Sequence, residues 1–303
     1  MSSAAPVPTA VDCIWCRRPF DNRSTHLTLR TRCASCGAAT TDPPPTDDEL
    51  AAAYGDWYRP PAERRFFFAA DAILNRSRGL LASRVDQIMP PGPVLDVGAG
   101  DGTLIDALRD CGREATGLER NPTRTDLRDA ALSEIDGQWA GVIFWHSLEH
   151  LPNPGEAIRE AARLLLPGGI VIVAVPNNDS LQAQCFGDRW LHLDIPRHLA
   201  HLTTRSLRSG LGAAGFKVER VSYVRAGQIL IGWLQGLVGL LPGKPDLYQA
   251  LRREGARGVN QSVGVRMLAI VAAVVLVPVA AAASLVENLL SRSGTVYLEA
   301  RLL

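Results

Sequence analysis

A chain of 303 residues, 47% hydrophobic and 21% charged, has room for one large α/β domain with a small appendage, and that composition excludes disorder of the whole chain. Thirty-two basic residues against thirty-one acidic ones leave a net charge of +1, so there is no electrostatic reason to expect nucleic acid or an acidic surface as partner. Residues 1–10 carry neither a basic start nor an apolar run, which argues against a secretory leader and for a cytoplasmic setting where six cysteines stay reduced. The first pattern in the chain is a pair of C-x-x-C knuckles, Cys13-Ile14-Trp15-Cys16 and Cys33-Ala34-Ser35-Cys36, sixteen residues apart. Each knuckle offers two sulfurs from one tight turn, and two knuckles complete a tetrahedron with no open position, which predicts a structural Zn2+ on Cys13, Cys16, Cys33 and Cys36. Two unrelated thiol pairs, or a redox dithiol, is the competing reading. Residues 1–40 cannot bury much core alone, so metal binding would supply folding energy. Cys111 and Cys185 stand alone and are expected to be small buried hydrophobes.

Residues 41–90 read as a linker followed by helices. Pro43, Pro44 and Pro45 stiffen the linker. Thr46 with Glu49 makes a capping box that opens a helix running to Tyr54.

Val94-Leu95-Asp96-Val97 is a short apolar run closed by glycines, the pattern of a buried parallel strand. Gly98, Ala99, Gly100 and Gly102 follow, and residues 103–108 continue as a helix. The glycines let the backbone turn sharply and let a ligand come close to the main chain. A second strand candidate, residues 115–118, ends at Glu119, where an acid can accept hydrogen bonds from both hydroxyls of a ribose. The dinucleotide pattern G-x-G-x-x-G is not met, because Gly102 comes one place early. An adenosine without a pyrophosphate fits this loop better.

Residues 94–102 resemble motif I of class I S-adenosylmethionine-dependent methyltransferases, and Glu119 matches their ribose-binding acid. Trp145-His146-Ser147-Leu148-Glu149-His150-Leu151 resembles the motif after their fourth strand. Leu166-Pro167-Gly168-Gly169 resembles the turn before their fifth, placed here at residues 170–175. A closer resemblance is to methyltransferases that carry an N-terminal zinc ribbon and occur near glycan-assembly genes. It rests on residues 33–37, 44–46, 49–50, 54–58, 176–177, 186–190 and 196–199, and it covers nearly the whole chain. The resemblance implies a Rossmann-like α/β sheet over residues 91–226, mostly parallel, with an antiparallel last strand at 293–303. It also implies S-adenosylmethionine as cofactor, held by Asp96, Gly98, Ala99, Gly100, Gly102, Glu119, Asp129 and Trp145. Two departures stand out. Only about twenty residues separate Glu119 from Trp139, where relatives fit a helix, a strand and an adenine-contacting acid, here assigned to Asp129. Ala99 stands where many relatives have cysteine.

His146-Ser147-Leu148-Glu149-His150 also spells H-x-x-E-H, an inverted zinc-protease signature. The apolar strand at residues 141–145 places these histidines at a strand end and a loop, which leaves a zinc hydrolase a remote alternative. Capping and packing by Glu149 and His150 is the plainer one. Methyl transfer to oxygen calls for a general base that titrates near neutrality, which favours histidine. His146, His150 and His198 are the catalytic candidates. Tyr54, Tyr58, Asp194, Arg197 and His201 are candidates for the acceptor side, Asp194 to orient a histidine and Arg197 to grip a carboxylate or phosphate. These residues could equally brace a rigid turn around Pro196.

Residues 267–286 contain no charge, long enough to span a bilayer, although Pro278 is expected to interrupt the helix. The strands on either side of the 227–292 insert belong to one sheet, so a single crossing is impossible. A monotopic insertion or a hydrophobic lid is expected. A helical hairpin, a buried subdomain and a homodimer face are the alternatives. Together these features predict O-methylation of a glycan, a lipid-linked or another small-molecule acceptor, at the inner face of a membrane. The alternative from another class is an adaptor that binds the cofactor without turning it over.

Overall fold

The computed structural model describes residues 11–55, 68–224, 226–252 and 261–303. Three short strands, β1 (Thr25–Leu27), β2 (Arg30–Arg32) and β3 (Ala39–Thr41), precede helices α1 (Asp47–Ala53) and α2 (Phe68–Ile88). Next come β4 (Val94–Val97), α3 (Thr103–Asp110), β5 (Ala115–Leu118), β6 (Leu127–Arg128), β7 (Trp139–Trp145), α4 (Pro154–Leu164) and β8 (Leu165–Pro176). The chain continues through α5 (Leu181–Phe186), β9 (Ala200–His201), α6 (Thr204–Ala213), β10 (Phe216–Ser222), α7 (Ala226–Val238), α8 (Leu247–Leu251), α9 (Val263–Leu289) and β11 (Thr295–Leu302).

Seven strands form the main sheet in the order β10-β11-β8-β7-β4-β5-β6. Its centre is parallel, and β11 runs antiparallel to both neighbours, as the sequence predicts. All of β4 and β7 is buried, which explains their unbroken apolar text: helices cover both faces of a parallel sheet. The strand order reverses at β4, where β7 lies on one side and β5 on the other. In open α/β sheets that reversal opens a crevice at the carboxyl ends of the strands. The short stretch after Glu119 holds only the two-residue β6 and a single 3-10 turn, Leu132–Glu134.

The cysteine ribbon is joined to the main domain instead of hanging from a linker. β3 pairs antiparallel with β9, Ala39 opposite His201 and Thr40 opposite Ala200. Thr41, expected to open the linker, is buried, and its N–H donates to the Leu199 carbonyl at 3.0 Å. Trp15, between the first two cysteines, is 3% exposed and donates its indole N–H to the Ser206 carbonyl at 2.9 Å. It lies in one hydrophobic core with Leu95, Phe144 and Val173 of the sheet. Beyond this seam the capping box is present as predicted: Thr46 Oγ accepts from the Glu49 N–H at 3.2 Å, and Glu49 accepts from the Thr46 N–H at 2.8 Å.

Two expectations are corrected. Cys111 and Cys185 are exposed, Cys111 because it caps the end of α3. The helix α9 runs through Pro278 without a break, since a proline removes only one backbone donor and the remaining turns hold. One side of α9 buries Ala269, Ala273, Ala280 and Ser284 against α7 and α8, while Met267, Val271, Val274, Val275 and Leu285 stay exposed. Glu287 near its end accepts from the Gln182 amide and the Trp233 indole, both at 2.9 Å, which pins the helix to α5 and α7. Among the described residues, α9 is the helix long and apolar enough to cross a membrane. β10 and β11 pair with each other, so the chain enters and leaves the insert on one side.

Because the ribbon shares a core with the sheet, Trp15→Ala is expected to cost about 3–5 kcal/mol. Denaturant unfolding should show one transition shifted to lower midpoint; a separate early transition of the ribbon alone would contradict the shared core.

Candidate cofactor and acceptor site

The crevice begins at the end of β4. Gly98, Gly100 and Gly102 have φ of +81°, +61° and +77°, a left-handed path that disfavours any residue with a Cβ. The N–H groups of Gly98 and Ala99 both donate to the Leu118 carbonyl, at 2.8 and 2.9 Å, which ties the loop to the end of β5. A Cβ on Gly98 would lie 2.5 Å from the Cβ of Ser147, whereas nothing lies within 4 Å of the same position on Gly100. The loop is thus pressed against the turn after β7 on one side and open on the other.

Glu119 is buried and held by backbone donors: Gly100 N–H at 2.6 Å on one oxygen and Arg120 N–H at 2.9 Å on the other. Asp129 is exposed just past β6 and accepts from the Asn121 N–H at 3.2 Å. Because Glu119 N–H donates to the Arg128 carbonyl, both acids border the same end of the crevice. Asp96 is 2% exposed, and its Oδ1 has no hydrogen-bond partner in the protein. Burial pushes its carboxyl up to about 7. Trp145 is buried at the end of β7, with the Arg78 guanidinium 5.0 Å from its ring centre.

The other wall of the crevice is rich in histidine. His146 follows β7 with φ of +53°, an uncommon conformation for a residue with a side chain, and its N–H donates to the Ala174 carbonyl at 2.8 Å. One 3-10 turn, Leu148–His150, then swings Glu149 inward to 2% exposure. His146 Nδ1 lies 3.5 Å from Glu149 Oε1, and its Nε2 lies 3.0 Å from the Gln228 amide nitrogen of α7. His198 approaches from the block after α5, with Nε2 3.9 Å from Glu149 Oε1 and 3.7 Å from Asp194 Oδ2. The rings of His150 and His198 meet edge to face at 4.6 Å. His150 Nδ1 lies 3.0 Å from both the Arg197 carbonyl and the Tyr54 hydroxyl.

Burial, then the nearby His198, pushes His150 down to about 4; burial and His146 push His192 down to about 3. Both rings are neutral at neutral pH. Burial works to raise the Glu149 carboxyl, but His146, His150 and His198 outweigh it and hold the group down at about 2. A buried anion thus sits beside the neutral ring of His150.

Several predicted residues are placed differently. Arg197 is committed inside the fold: its Nε donates to Asp194 at 3.0 Å and its Nη1 to the Ala53 carbonyl at 3.1 Å, so it braces α1 instead of gripping an acceptor. His201 is buried in the ribbon seam with Nε2 3.0 Å from Thr41 Oγ. Tyr58 lies outside the described residues. The H-x-x-E-H stretch is a strand end and a single turn, so His146 and His150 do not share a helix face as the hydrolase signature requires. Ser147 and Gln228 carry no signal of a site in the sequence, and Glu149, flanked by histidines there, reads as a capping residue.

The four ribbon cysteines converge. Cys13 and Cys36 sulfurs are 3.6 Å apart and those of Cys16 and Cys33 are 3.7 Å apart, with all four within 4.8 Å of one another. Ligands on a tetrahedral zinc with bonds of about 2.3 Å lie about 3.8 Å apart, so these residues fit a structural Zn2+.

The comparisons with known proteins agree with this geometry. Residues 27–221 match the family described as methyltransferase domain. A Mycolicibacterium smegmatis protein named a probable S-adenosylmethionine-dependent methyltransferase is 30% identical over 139 residues, covering 42% of this chain and 52% of that protein. A Shewanella halifaxensis protein named ubiquinone biosynthesis O-methyltransferase is 30% identical over 104 residues, 28% of this chain and 44% of its own length. The chain thus spans about half the length of the curated relatives it matches. Among solved structures, the 4+2 cyclase SpnF superposes with a TM-score of 0.50 at 21% identity, covering 86% of this chain and 97% of SpnF, which is a likeness of fold. The chain belongs to the methyltransferase domain family and has the class I, S-adenosylmethionine-dependent form of its fold.

Proposed function

We propose that this chain transfers the methyl group of S-adenosylmethionine to a hydroxyl oxygen of a small acceptor, glycan or lipid-linked, held over the turn after β7. The observation that carries the reading is the Gly98–Ser147 contact, which makes the glycine loop and the histidine turn two walls of one crevice. S-adenosylmethionine supplies an electrophilic methyl carbon on a sulfonium and leaves as a thioether. Glu119, oriented by two backbone N–H groups, is the acid that would accept from the ribose hydroxyls. Asp129 borders the adenine end, Trp145 the methionine end, and the unpartnered oxygen of Asp96 suits a cationic ligand.

His146 is the proton acceptor in this reading. With Nδ1 protonated toward Glu149, Nε2 is the accepting nitrogen, on which an acceptor hydroxyl would displace the Gln228 amide N–H, and the buried carboxylate stabilises the imidazolium that forms. The Gln228 amide beside Nε2 marks the position an acceptor hydroxyl would take. His146 would take the proton of the acceptor hydroxyl as its oxygen met that methyl carbon, and the Glu149 carboxylate would balance the charge left on the imidazole. The O-methyltransferase names of several relatives support an oxygen acceptor, and the bare apolar face of α9 supports one that lies at a membrane surface.

Labelled S-adenosylmethionine offered to a lipid and glycan extract should yield a labelled product. His146→Ala should lower the rate by about 10²- to 10⁴-fold while calorimetry still shows cofactor binding. A variant as active as the parent removes His146 from the reaction, and a parent that labels nothing removes the enzyme reading. Affinity for the cofactor should also depend on pH through Asp96. Its carboxyl, raised to about 7, must lose its proton to meet a cation, so affinity should fall as pH drops below about 7 and level off above it. Asp96→Asn should bind more weakly and lose that dependence; an unchanged pH profile would contradict the role. Vesicle flotation should carry the protein upward with anionic liposomes through α9, and Val271→Asp with Val275→Asp should abolish it; flotation unaffected by these changes, or none at all, would remove the membrane surface from the reading.

A further inference from the structure

We infer that Glu149, His150 and His198 form a binding site for a divalent transition-metal cation, distinct from the four-cysteine site. It rests on the proposed reading only in lying at the acceptor end of the crevice. One ligand atom from each residue falls within 4.8 Å of the others. Glu149 is 2% exposed and neither of its oxygens has a hydrogen bond from the protein. A buried carboxylate left so is costly unless a positive charge completes it. The histidines are set up to complete it. His198 Nδ1 faces the His192 carbonyl at 2.9 Å and His150 Nδ1 faces the Arg197 carbonyl at 3.0 Å. A ligating histidine commonly donates one ring N–H to a backbone carbonyl and presents the other nitrogen to the metal.

Two imidazoles and one carboxylate suit zinc, iron, cobalt or nickel, and suit magnesium or calcium poorly, since those prefer oxygen ligands throughout. Three protein ligands leave coordination positions open. The 3.9 Å between His198 Nε2 and Glu149 Oε1 must close by about 0.5 Å for two bonds of about 2.1 Å to one tetrahedral ion, a change that side-chain rotation can supply. A cation held there would favour the ionised form of any hydroxyl that reached an open position.

Cobalt(II) tests the assignment on the full chain after removal of native metal. A four-thiolate site gives intense near-ultraviolet charge-transfer bands, and a nitrogen–oxygen site gives only weak visible ones. The wild type should bind two cobalt ions per chain, one of each kind. Glu149→Gln and His198→Asn should each bind one, keeping the thiolate bands, which also report that the ribbon has folded. One cobalt per chain in the wild type, or two in both variants, would overturn the site. Calorimetry with S-adenosylmethionine on the same samples separates the two ideas: cofactor binding with a single cobalt overturns the cation alone, while two cobalts without cofactor binding overturns the transferase reading alone.

Discussion

The close approach of Gly98 to Ser147 is the constraint on which the rest of this molecule depends. With a Cβ at Gly98 the two chains would collide at 2.5 Å, so only a glycine lets the turn after β7 settle against the loop after β4. Those two strands are neighbours at the point where the sheet order reverses. The contact therefore brings a loop that is open at Gly100 and edged by Glu119 against a turn that carries His146 and Glu149. Neither wall has the chemistry of the whole: one offers oxygens for a nucleoside and a cation, the other a buried anion among imidazoles.

The ribbon belongs to the same construction. His198 is the hinge of the arrangement, because its carbonyl accepts from Thr41 Oγ at 2.6 Å on the ribbon side while its ring reaches toward Glu149. Loss of order around the four cysteines would thus be felt in the acceptor wall through β3 and β9. Arg197 and Tyr54 extend the brace to α1, the former through the Ala53 carbonyl and the latter through His150. The insert closes the remaining side: Gln228 of α7 touches His146, and Glu287 anchors α9 beside it.

What the sequence made legible was local. The strand, glycine turn and helix at β4–α3, the acid at Glu119, the two knuckles and the capping box at Thr46 all lie within short windows whose spacing carries the chemistry. The mostly parallel direction of the strands and the antiparallel last one were legible through resemblance. What was hidden depended on long-range contact. Trp15 meets Ser206 across most of the chain, and no local pattern announces that the ribbon contributes a strand to residues 200–201. Glu149 looked like a capping residue because its partner His198 comes from a distant block, and Arg197 looked free because Asp194 and Ala53 had yet to claim it. Cys111 and Cys185 were misread by residue type, since cysteine is usually buried and exposure depends on which side of a helix end it falls. Pro278 was misread as a break, when the turns on both sides of it hold the helix.

The most direct measurement is a crystal structure of the chain with S-adenosylhomocysteine. The expected result has the ribose hydroxyls on Glu119, the homocysteine end near Asp96 and Trp145, and the sulfur directed toward His146 and Ser147. A ligand whose ribose lies away from Glu119, or whose sulfur points away from the turn after β7, would contradict the single crevice that joins cofactor and acceptor.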